Sequence, residues 1–243
     1  MNNEKKTLIV IPARYNSSRF PGKPLIKING IPMIKRTYDQ AYKNTHTNDI
    51  LIATDSSKIE TFCKDNNMNV ILTSKDCQSG TDRVAEVSKM MPEFDCYFNL
   101  QGDEPVINPK YIDQCIENFF RLYPKYELIT AYAKLPKERA ILPETVKVVF
   151  NEKNEAIRFS RSLIPENSFE YHNHIGIYCF SSKVLNCFSN HPRTENELFE
   201  KIEMIRILDL GIKIKMIEIE ETFAVDIPSD VKKVEKFINK KTI

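Results

Sequence analysis

Short apolar runs alternate with segments of helical periodicity from Leu8 to Leu122, and this alternation most constrains the fold. The apolar runs predict strands over Leu8–Ile11, Ile50–Ala53, Val70–Leu72 and Tyr97–Leu100. The periodic segments predict helices over Pro32–Lys43, Ser56–Asn66, Thr81–Met91 and Pro109–Leu122. Strands that are apolar on both faces and alternate with helices are typical of parallel sheets. We therefore expect an α/β fold with a Rossmann-like, mostly parallel sheet flanked by helices.

The second half of the chain is less regular. Its pattern predicts strands over Leu128–Ala133, Val146–Phe150, His174–Phe180 and Ile214–Ile219. It also predicts one amphipathic helix over Glu195–Leu210, ended by Gly211, and a final helix over Pro228–Ile238. No internal repeat or low-complexity linker divides the sequence. We expect a single domain over residues 1–243, with a smaller β-rich lobe within about residues 128–195.

Composition excludes several classes of protein. The 243 residues are 42% hydrophobic, enough for a large core, and the net charge of +2 gives no bulk field for nucleic acid. The longest apolar runs have the length of strands, so we expect no membrane span. The first seven residues lack the apolar region of a signal peptide, and the six cysteines form no C-x-x-C pair. We expect a cytoplasmic protein with reduced thiols rather than disulfides or a zinc site.

The loop after the first strand carries an unusual density of proline and positive charge. Three prolines, one glycine and the cations Arg14, Arg19 and Lys23 fall within Ile11–Pro24. A turn at a strand end frees backbone amides, and arginine and lysine side chains there can converge on a phosphate. The loop matches neither the G-x-x-x-x-G-K-[ST] nor the G-x-G-x-x-G motif. The alternative is a solvated basic loop.

Two aspartates occupy positions that suit a metal. Asp103 follows the strand Tyr97–Leu100 at a Gly102 turn, and Asp226 lies between an apolar run and Pro228. Ligands of parallel sheets collect at the carboxyl ends of the strands, where the two carboxylates could meet. Magnesium prefers such hard oxygens and often shares them with substrate phosphates. The alternatives are an acidic turn or helix cap at Asp103 and a helix cap at Asp226.

Three further groups of polar residues have both a functional and a structural interpretation. The Ser79–Arg83 turn could read a nucleobase edge through its backbone, or it could simply cap a helix. Arg161, His174 and Tyr178 fall in the β-rich lobe, and the period of a strand places the last two on one face. Such residues are more often structural. The i, i+3 spacing of Glu197, Glu200 and Glu203 is typical of a solvated helix face.

Taken together, these motifs resemble the 3-deoxy-manno-octulosonate (Kdo) cytidylyltransferase family, also called CMP-Kdo synthetases. The matching segments occur in the family's order and span nearly the whole chain. They are Ile11–Leu25, Ala53–Asp55, Ser79–Glu86, Asn99–Pro105, Val146–Val149, Phe159–Arg161, His174–Tyr178, Glu200–Leu208 and Val225–Pro228. No single segment is specific, but the joint match is.

The resemblance implies a magnesium-dependent nucleotidyltransferase, commonly a homodimer. The implied reaction transfers CMP from CTP to the anomeric hydroxyl of Kdo and releases pyrophosphate, a step that supplies lipopolysaccharide or capsule biosynthesis. No nucleic acid or membrane is an implied partner.

The resemblance also implies roles for individual residues. Arg14 and Lys23 resemble the phosphate-contacting cations, with Arg19 in support. The region that reads cytosine corresponds to Ala13, Ser79, Gly80, Thr81 and Arg83. Asp103 and Asp226 resemble the paired magnesium ligands. The sugar-acid pocket corresponds to Gln101, Arg161, His174, Tyr178, Glu203 and Met204. The β-rich lobe resembles a sugar-binding and dimerisation unit.

Two departures lie in the sugar half. The segment between Arg161 and His174 is shorter than in common bacterial members, and Met204 stands where glutamine commonly follows the glutamate equivalent to Glu203. The alternatives are therefore an 8-amino analogue of Kdo or another ulosonate, such as a sialate. A hexose-1-phosphate nucleotidyltransferase and a non-catalytic nucleotide-binding protein are more distant alternatives. The intact Arg14–Lys23 loop disfavours the sialate and hexose-1-phosphate enzymes, and retention of both aspartates disfavours a non-catalytic protein.

Overall fold

A central sheet of nine strands organises the protein. The computed structural model describes residues 5–16, 20–47, 49–166 and 168–241. In chain order the strands are β1 (Thr7–Ala13), β2 (Lys27–Ile28), β3 (Ile31–Pro32), β4 (Ile50–Thr54), β5 (Val70–Leu72), β6 (Cys96–Leu100), β7 (Leu128–Leu135), β8 (Lys147–Phe150), β9 (Ala156–Ser160), β10 (Tyr171–Phe180) and β11 (Lys215–Glu218). Strands β2 and β3 pair separately, as a two-stranded sheet.

Helices connect most of these strands. They are α1 (Met33–Ala41), α2 (Ser57–Asp65), α3 (Gly80–Met90), α4 (Pro109–Leu122), α5 (Lys137–Ala140), α6 (Ser182–Asn190), α7 (Glu195–Glu200), α8 (Glu203–Asp209) and α9 (Pro228–Lys241). A short 3-10 helix covers Lys23–Leu25. The strand and helix patterns predicted up to Leu122 are confirmed within a few residues at each end.

The sheet is mostly parallel, as predicted. Its strand order is β11-β7-β10-β6-β1-β4-β5, and β1 pairs in parallel with both β4 and β6. Only β10 runs against this direction along that path, since it pairs antiparallel with β6 and with β7. From β1 the chain builds outward through β4 and β5, and β6 then returns to the other side of β1. The crevice between β1 and β6 is therefore a topological switch point, where ligands of open α/β sheets bind.

Both faces of the sheet are buried, which explains the continuous apolar runs of the central strands. Ile9 and Ile11 of β1 pack on the side of α1, α2 and α4, while Leu8 and Val10 pack on the side of α3, α6 and α8. A smaller core joins Val234 of α9 to residues beneath the loop that follows β1. Burial on both faces removes the alternation of polar and apolar residues that a half-exposed strand would show.

The helix predicted over Glu195–Leu210 is broken, and that prediction is wrong. Helix α7 ends where Lys201 adopts a left-handed conformation with φ of 57°, and α8 begins two residues later. Gly211, also at positive φ, ends α8 as predicted. The expected solvated glutamate face is not formed, because Glu197 is only 4% exposed. The break turns the three glutamates toward different partners.

The region of the predicted β-rich lobe contains β7 to β10. Strands β7 and β10 belong to the central sheet, while β8 and β9 form an antiparallel hairpin attached to it through β10. The lobe's assignment as a sugar-binding and dimerisation unit stays a prediction.

The six cysteines are free thiols, as the sequence predicts. Cys63, Cys96, Cys115 and Cys179 are buried, and Cys77 and Cys187 are partly exposed. Burial raises the pKa of Cys63 and of Cys115 to about 12. Within the described ranges, the helices are too short or too polar to cross a membrane.

Candidate active site

A cavity of about 940 Å³ opens beyond the carboxyl ends of β1 and β6. Backbones come very close together at its floor: a Cβ on Gly102 would lie 3.0 Å from the carbonyl oxygen of Pro12. Only glycine permits this approach without a shift of the backbone. Most of the residues predicted for the site lie in the wall. They are Ala13, Arg14, Lys23, Ser79, Gly80, Arg83, Gln101, Asp103, Arg161, Glu203 and Asp226. Arg19 lies outside the described residues.

The two predicted metal ligands meet in this cavity. The ammonium nitrogen of Lys23 lies 2.7 Å from Oδ2 of Asp103 and 3.7 Å from Oδ1 of Asp226. The three residues are separated by as many as 203 positions in the sequence, yet both carboxylates lie around one cation, the Lys23 ammonium. Asp103 and Asp226 thus converge as the sequence predicts.

Backbone contacts hold Asp226 in place, although it lies on a segment without regular structure. The amide of Val225 donates to the carbonyl of Asp103 at 2.9 Å, and the Lys23 ammonium donates to the carbonyl of Val225 at 2.9 Å. The hydroxyl of Thr222 donates to Glu104 at 3.2 Å. Hydrogen bonds to the turn after β6 and to Lys23 therefore hold the segment that carries Asp226 in place.

The two carboxylates fit a magnesium ion that is also bound to phosphate. Magnesium is usually held by one or two carboxylates, with substrate phosphates and water completing its octahedron. A positive group already lies between Asp103 and Asp226, as the Lys23 distances show. No cluster of three or more candidate ligands is formed by the described residues, so this site would need oxygens from a substrate.

The Ser79–Arg83 turn is both a helix cap and part of the cavity wall. The Ser79 hydroxyl accepts from the amide of Asp82 at 3.1 Å, which makes it the N-cap of α3. Arg83 is only 2% exposed, and its guanidinium pairs with Asp55 at 3.0 Å and with the Thr73 hydroxyl. Arg83 therefore fixes the turn against β4 and β5, and Ser79, Gly80 and Arg83 line the cavity.

Glu203 links the predicted sugar pocket to this turn. Its carboxylate accepts from the amide of Thr81 at 3.1 Å, at the N-terminus of α3. Burial raises the pKa of Glu203. Thr81 is itself buried and is not among the described residues that line the cavity, which corrects its predicted placement; its backbone reaches the wall only through Glu203.

Arg161 lies in the wall but is held by backbone carbonyls. Its Nε donates to the carbonyl of Glu200 at 2.9 Å, and one terminal nitrogen donates to Pro143 at 3.1 Å. The carboxylate of Glu200 also accepts a hydrogen bond from the backbone amide of Arg161 at 2.8 Å. These bonds fix the guanidinium in the part of the wall that was predicted to bind the sugar.

His174 and Tyr178 are not among the described residues that line the cavity, which corrects their predicted placement. The His174 ring lies 4.8 Å from the Phe159 ring, and its Nε2 lies 3.1 Å from the Thr130 hydroxyl. Burial lowers the pKa of His174 to about 3, so it is neutral near pH 7. Burial, with nearby carboxylates, raises the pKa of Tyr178. The two rings lie 5.6 Å apart on one face, as predicted, with His174 half-buried and Tyr178 buried.

Met204 is also misplaced by the sequence argument. Its side chain is fully buried in the core on the α3 side of the sheet and is not part of the wall formed by the described residues. The thioether follows Glu203 in α8, and neighbouring helix residues point in different directions. Met204 therefore packs the core while Glu203 faces the cavity.

Met204→Gln should consequently reduce stability rather than change the choice of acceptor. An amide without a partner in an apolar core costs about 1–3 kcal/mol. Urea unfolding would measure this loss, and relative kcat/KM across acceptor sugars should stay unchanged. If the ranking of acceptor sugars changes while stability does not, Met204 lies in the sugar pocket after all.

Glu104 is an additional buried acid that the sequence argument did not single out. It is 4% exposed, and one of its carboxylate oxygens has no hydrogen-bond partner among the described residues. Burial, followed by the charge of Asp103, raises its pKa to about 8. The folded protein therefore holds a proton on Glu104 at neutral pH that the unfolded chain releases.

Stability should accordingly fall as pH rises from about 4.5 to about 8, and Glu104→Gln should remove that fall. Without metal, the variant should gain about 2–4 kcal/mol over the native protein between pH 5 and pH 9. Urea unfolding with a chelator present measures this difference. Glu138→Gln, at an exposed position, is the matched control and should show no such gain. Parallel pH profiles for Glu104→Gln and the native protein would contradict this account.

Part of the cavity wall was not predicted from the sequence. Arg193, Glu197 and Lys201 line the cavity, and Arg193 donates to the carbonyl of Gln78 at 2.7 Å. Lys201 faces the cavity because of the break between α7 and α8, which the helical pattern concealed. Glu197 pairs with the buried Arg206 at 2.6 Å, and no sequence motif marks that pairing.

Comparison with known proteins agrees with the geometry. The family model described as cytidylyltransferase matches residues 8–221. The chain is 38% identical over 234 residues to the 3-deoxy-manno-octulosonate cytidylyltransferase of Escherichia coli, covering 94% of each chain. It is also 38% identical over 238 residues to the 8-amino-3,8-dideoxy-manno-octulosonate cytidylyltransferase of Shewanella frigidimarina, covering 95% of this chain and 97% of the relative.

A solved structure extends the match to the whole fold. The structure of CMP:2-keto-3-deoxy-manno-octonic acid synthetase complexed with CTP superposes with a TM-score of 0.91 at 37% identity. The match covers 98% of this chain and 100% of that one. The chain belongs to the 3-deoxy-manno-octulosonate cytidylyltransferase family.

Proposed function

We propose that this protein transfers CMP from CTP to the anomeric hydroxyl of 3-deoxy-manno-octulosonate and releases pyrophosphate. The observation that carries the proposal is the convergence of Asp103 and Asp226 on one cation-sized region beside Lys23. A pair of carboxylates at the switch point of the sheet suits a metal that is shared with a triphosphate. The family and the related CTP complex support the choice of nucleotide.

The reaction needs no covalent intermediate on the protein. The anomeric oxygen forms a bond to the α-phosphorus, the bond from that phosphorus to the bridging oxygen of the β-phosphate breaks, and pyrophosphate leaves. The hydroxyl proton passes to solvent. Arg14 and Lys23, both in the wall, would bind phosphate oxygens and stabilise the charge that develops on them. The backbone of the Ser79–Arg83 turn would contact the base.

Asp103 and Asp226 would hold the magnesium ion. When bound, the ion supplies Lewis-acid polarisation of the α-phosphate and neutralises charge on the departing pyrophosphate. Both carboxylates must be ionised, so activity should decrease at low pH as metal affinity falls. His174 is not assigned the role of general base, because its contacts lie with Thr130 and Phe159 in the interior.

The acceptor would lie between Gln101, Arg161 and Glu203. Arg161 would pair with the carboxylate of a sugar acid, and Glu203 and Gln101 would form hydrogen bonds with its hydroxyls. The 8-amino analogue is a second candidate acceptor, because the relative named for it shows the same 38% identity as the relative named for Kdo. We further propose a cytoplasmic homodimer, and free thiols support a reducing compartment.

A nucleotide panel and an acceptor panel test this proposal. Pyrophosphate release is measured with CTP, UTP, ATP and GTP at equal concentration, with Kdo and magnesium present. CTP should be strongly preferred, and comparable turnover with a purine nucleotide would contradict the base assignment. Kdo, its 8-amino analogue and a sialic acid are then compared with CTP. Preference for the sialic acid would overturn the proposed acceptor class.

A further inference from the structure

The ammonium group of Lys23 occupies the region between the two metal-binding carboxylates. It lies 2.7 Å from Asp103, 3.7 Å from Asp226 and 2.9 Å from the carbonyl of Val225. Its side chain is only 15% exposed. The backbone around it is fixed, because Gly22 at φ of 71° starts the 3-10 helix and its amide donates to the backbone carbonyl of Tyr15 at 2.9 Å.

A divalent cation and this ammonium would compete for the same carboxylate oxygens. Magnesium binds oxygens at about 2.1 Å, so a metal bridging Asp103 and Asp226 would lie within a few ångströms of the present ammonium position. Two positive groups at such a distance repel strongly in a partly buried cavity. Metal binding to the free protein therefore requires Lys23 to leave.

We propose that Lys23 has two successive roles in the reaction. Before nucleotide binds, its ammonium takes the place of the metal, keeps Asp103 and Asp226 together and suppresses binding of the metal alone. A triphosphate then offers the ammonium a new anionic partner, and the metal enters with the nucleotide. This inference rests on the proposed function for the identity of the nucleotide.

The side chain is suited to such an exchange. Lysine carries a compact charge on a flexible stem, so it can change partners without moving the backbone. The remaining backbone contacts of the Asp226 segment do not depend on Lys23, since the amide of Val225 bonds directly to Asp103. The carboxylates should therefore stay close enough to bind a metal after the ammonium leaves.

Manganese binding in the absence of nucleotide tests the inference without using activity. Mn²⁺ titrations, followed by the electron paramagnetic resonance signal of the free ion, are compared for the native protein and Lys23→Met. The variant should bind Mn²⁺ about tenfold or more tightly than the native protein. In the double variant Lys23→Met with Asp103→Asn, this gain should disappear, because one of the competing carboxylates is gone.

Arg14→Met is the matched control. It removes one positive charge from the same cavity wall without removing a group from between the carboxylates. General charge removal should strengthen Mn²⁺ binding less than Lys23→Met does, and high salt should reduce it further. Equal gains in the two variants, or no gain in Lys23→Met, would overturn the inference. Magnesium-dependent CMP transfer by the native protein with no gain in Lys23→Met would overturn this inference alone.

Discussion

Asp103→Asn and Asp226→Asn should each lower turnover by about a hundredfold or more while leaving the fold intact. The amide keeps the size of the carboxylate but loses the charge that holds a divalent cation. Both side chains converge on the Lys23 ammonium and are partly exposed, with side-chain exposures of 25% for Asp103 and 45% for Asp226. Neutralising either one should therefore disturb the proposed metal site more than the core.

The effect is measured as initial rates of pyrophosphate release over a range of magnesium concentrations. Asp39→Asn is the matched control, since Asp39 pairs only with Lys35 among the described residues, one helical turn away in α1. That variant should keep nearly native rates. If Asp103→Asn or Asp226→Asn turns over at the native rate at limiting magnesium, that aspartate is not a metal ligand.

Breaking the buried pair between Arg206 and Glu197 should have the largest effect on stability. The two side chains are 3% and 4% exposed and meet at 2.6 Å and 2.7 Å. The guanidinium also lies 3.8 Å from the centre of the Phe188 ring. Removing Arg206 leaves the buried Glu197 carboxylate with the partly exposed Arg193, at 3.6 Å, as its remaining cation among the described residues, so Arg206→Met should cost about 3–5 kcal/mol of unfolding free energy.

Urea unfolding at neutral pH measures that loss. Lys64→Met is the control, because Lys64 is 65% exposed in its pair with Glu60 and should lose less than about 1 kcal/mol. The double variant Arg206→Met with Glu197→Gln should recover part of the loss, since the buried carboxylate charge of Glu197 is then removed as well. A loss below 1 kcal/mol for Arg206→Met would show that the pair is not an essential link between α7 and α8.

The order of elements and the position of the site followed from sequence because local patterns determine both. Apolar runs such as β1 and β4 report burial on both faces, and polar residues directly after strands necessarily lie at one edge of a parallel sheet. Arg14, Asp103 and the Ser79 turn could therefore be placed together before their contacts were known. Asp226 could be placed with them only as one of two alternatives, metal ligand or helix cap, since it lies on an irregular segment.

The errors arise where tertiary contacts override a local pattern. The helix over Glu195–Leu210 has the right periodicity, yet Lys201 breaks it so that Glu200 can reach Arg161 and Glu203 can reach the start of α3. A pattern of charges cannot reveal that Glu197 is buried against Arg206. The direction of single side chains, as at Met204 and His174, likewise depends on packing and not on position in the sequence.

The identity of the reaction product tests the central claim most directly. The protein is mixed with CTP, Kdo and magnesium, and the products are followed by phosphorus nuclear magnetic resonance and mass spectrometry. The account predicts CMP-Kdo and pyrophosphate in equal amounts, with neither formed when Kdo or magnesium is omitted. Free CMP formed at the same rate without Kdo, or no product under any of these conditions, would contradict the account.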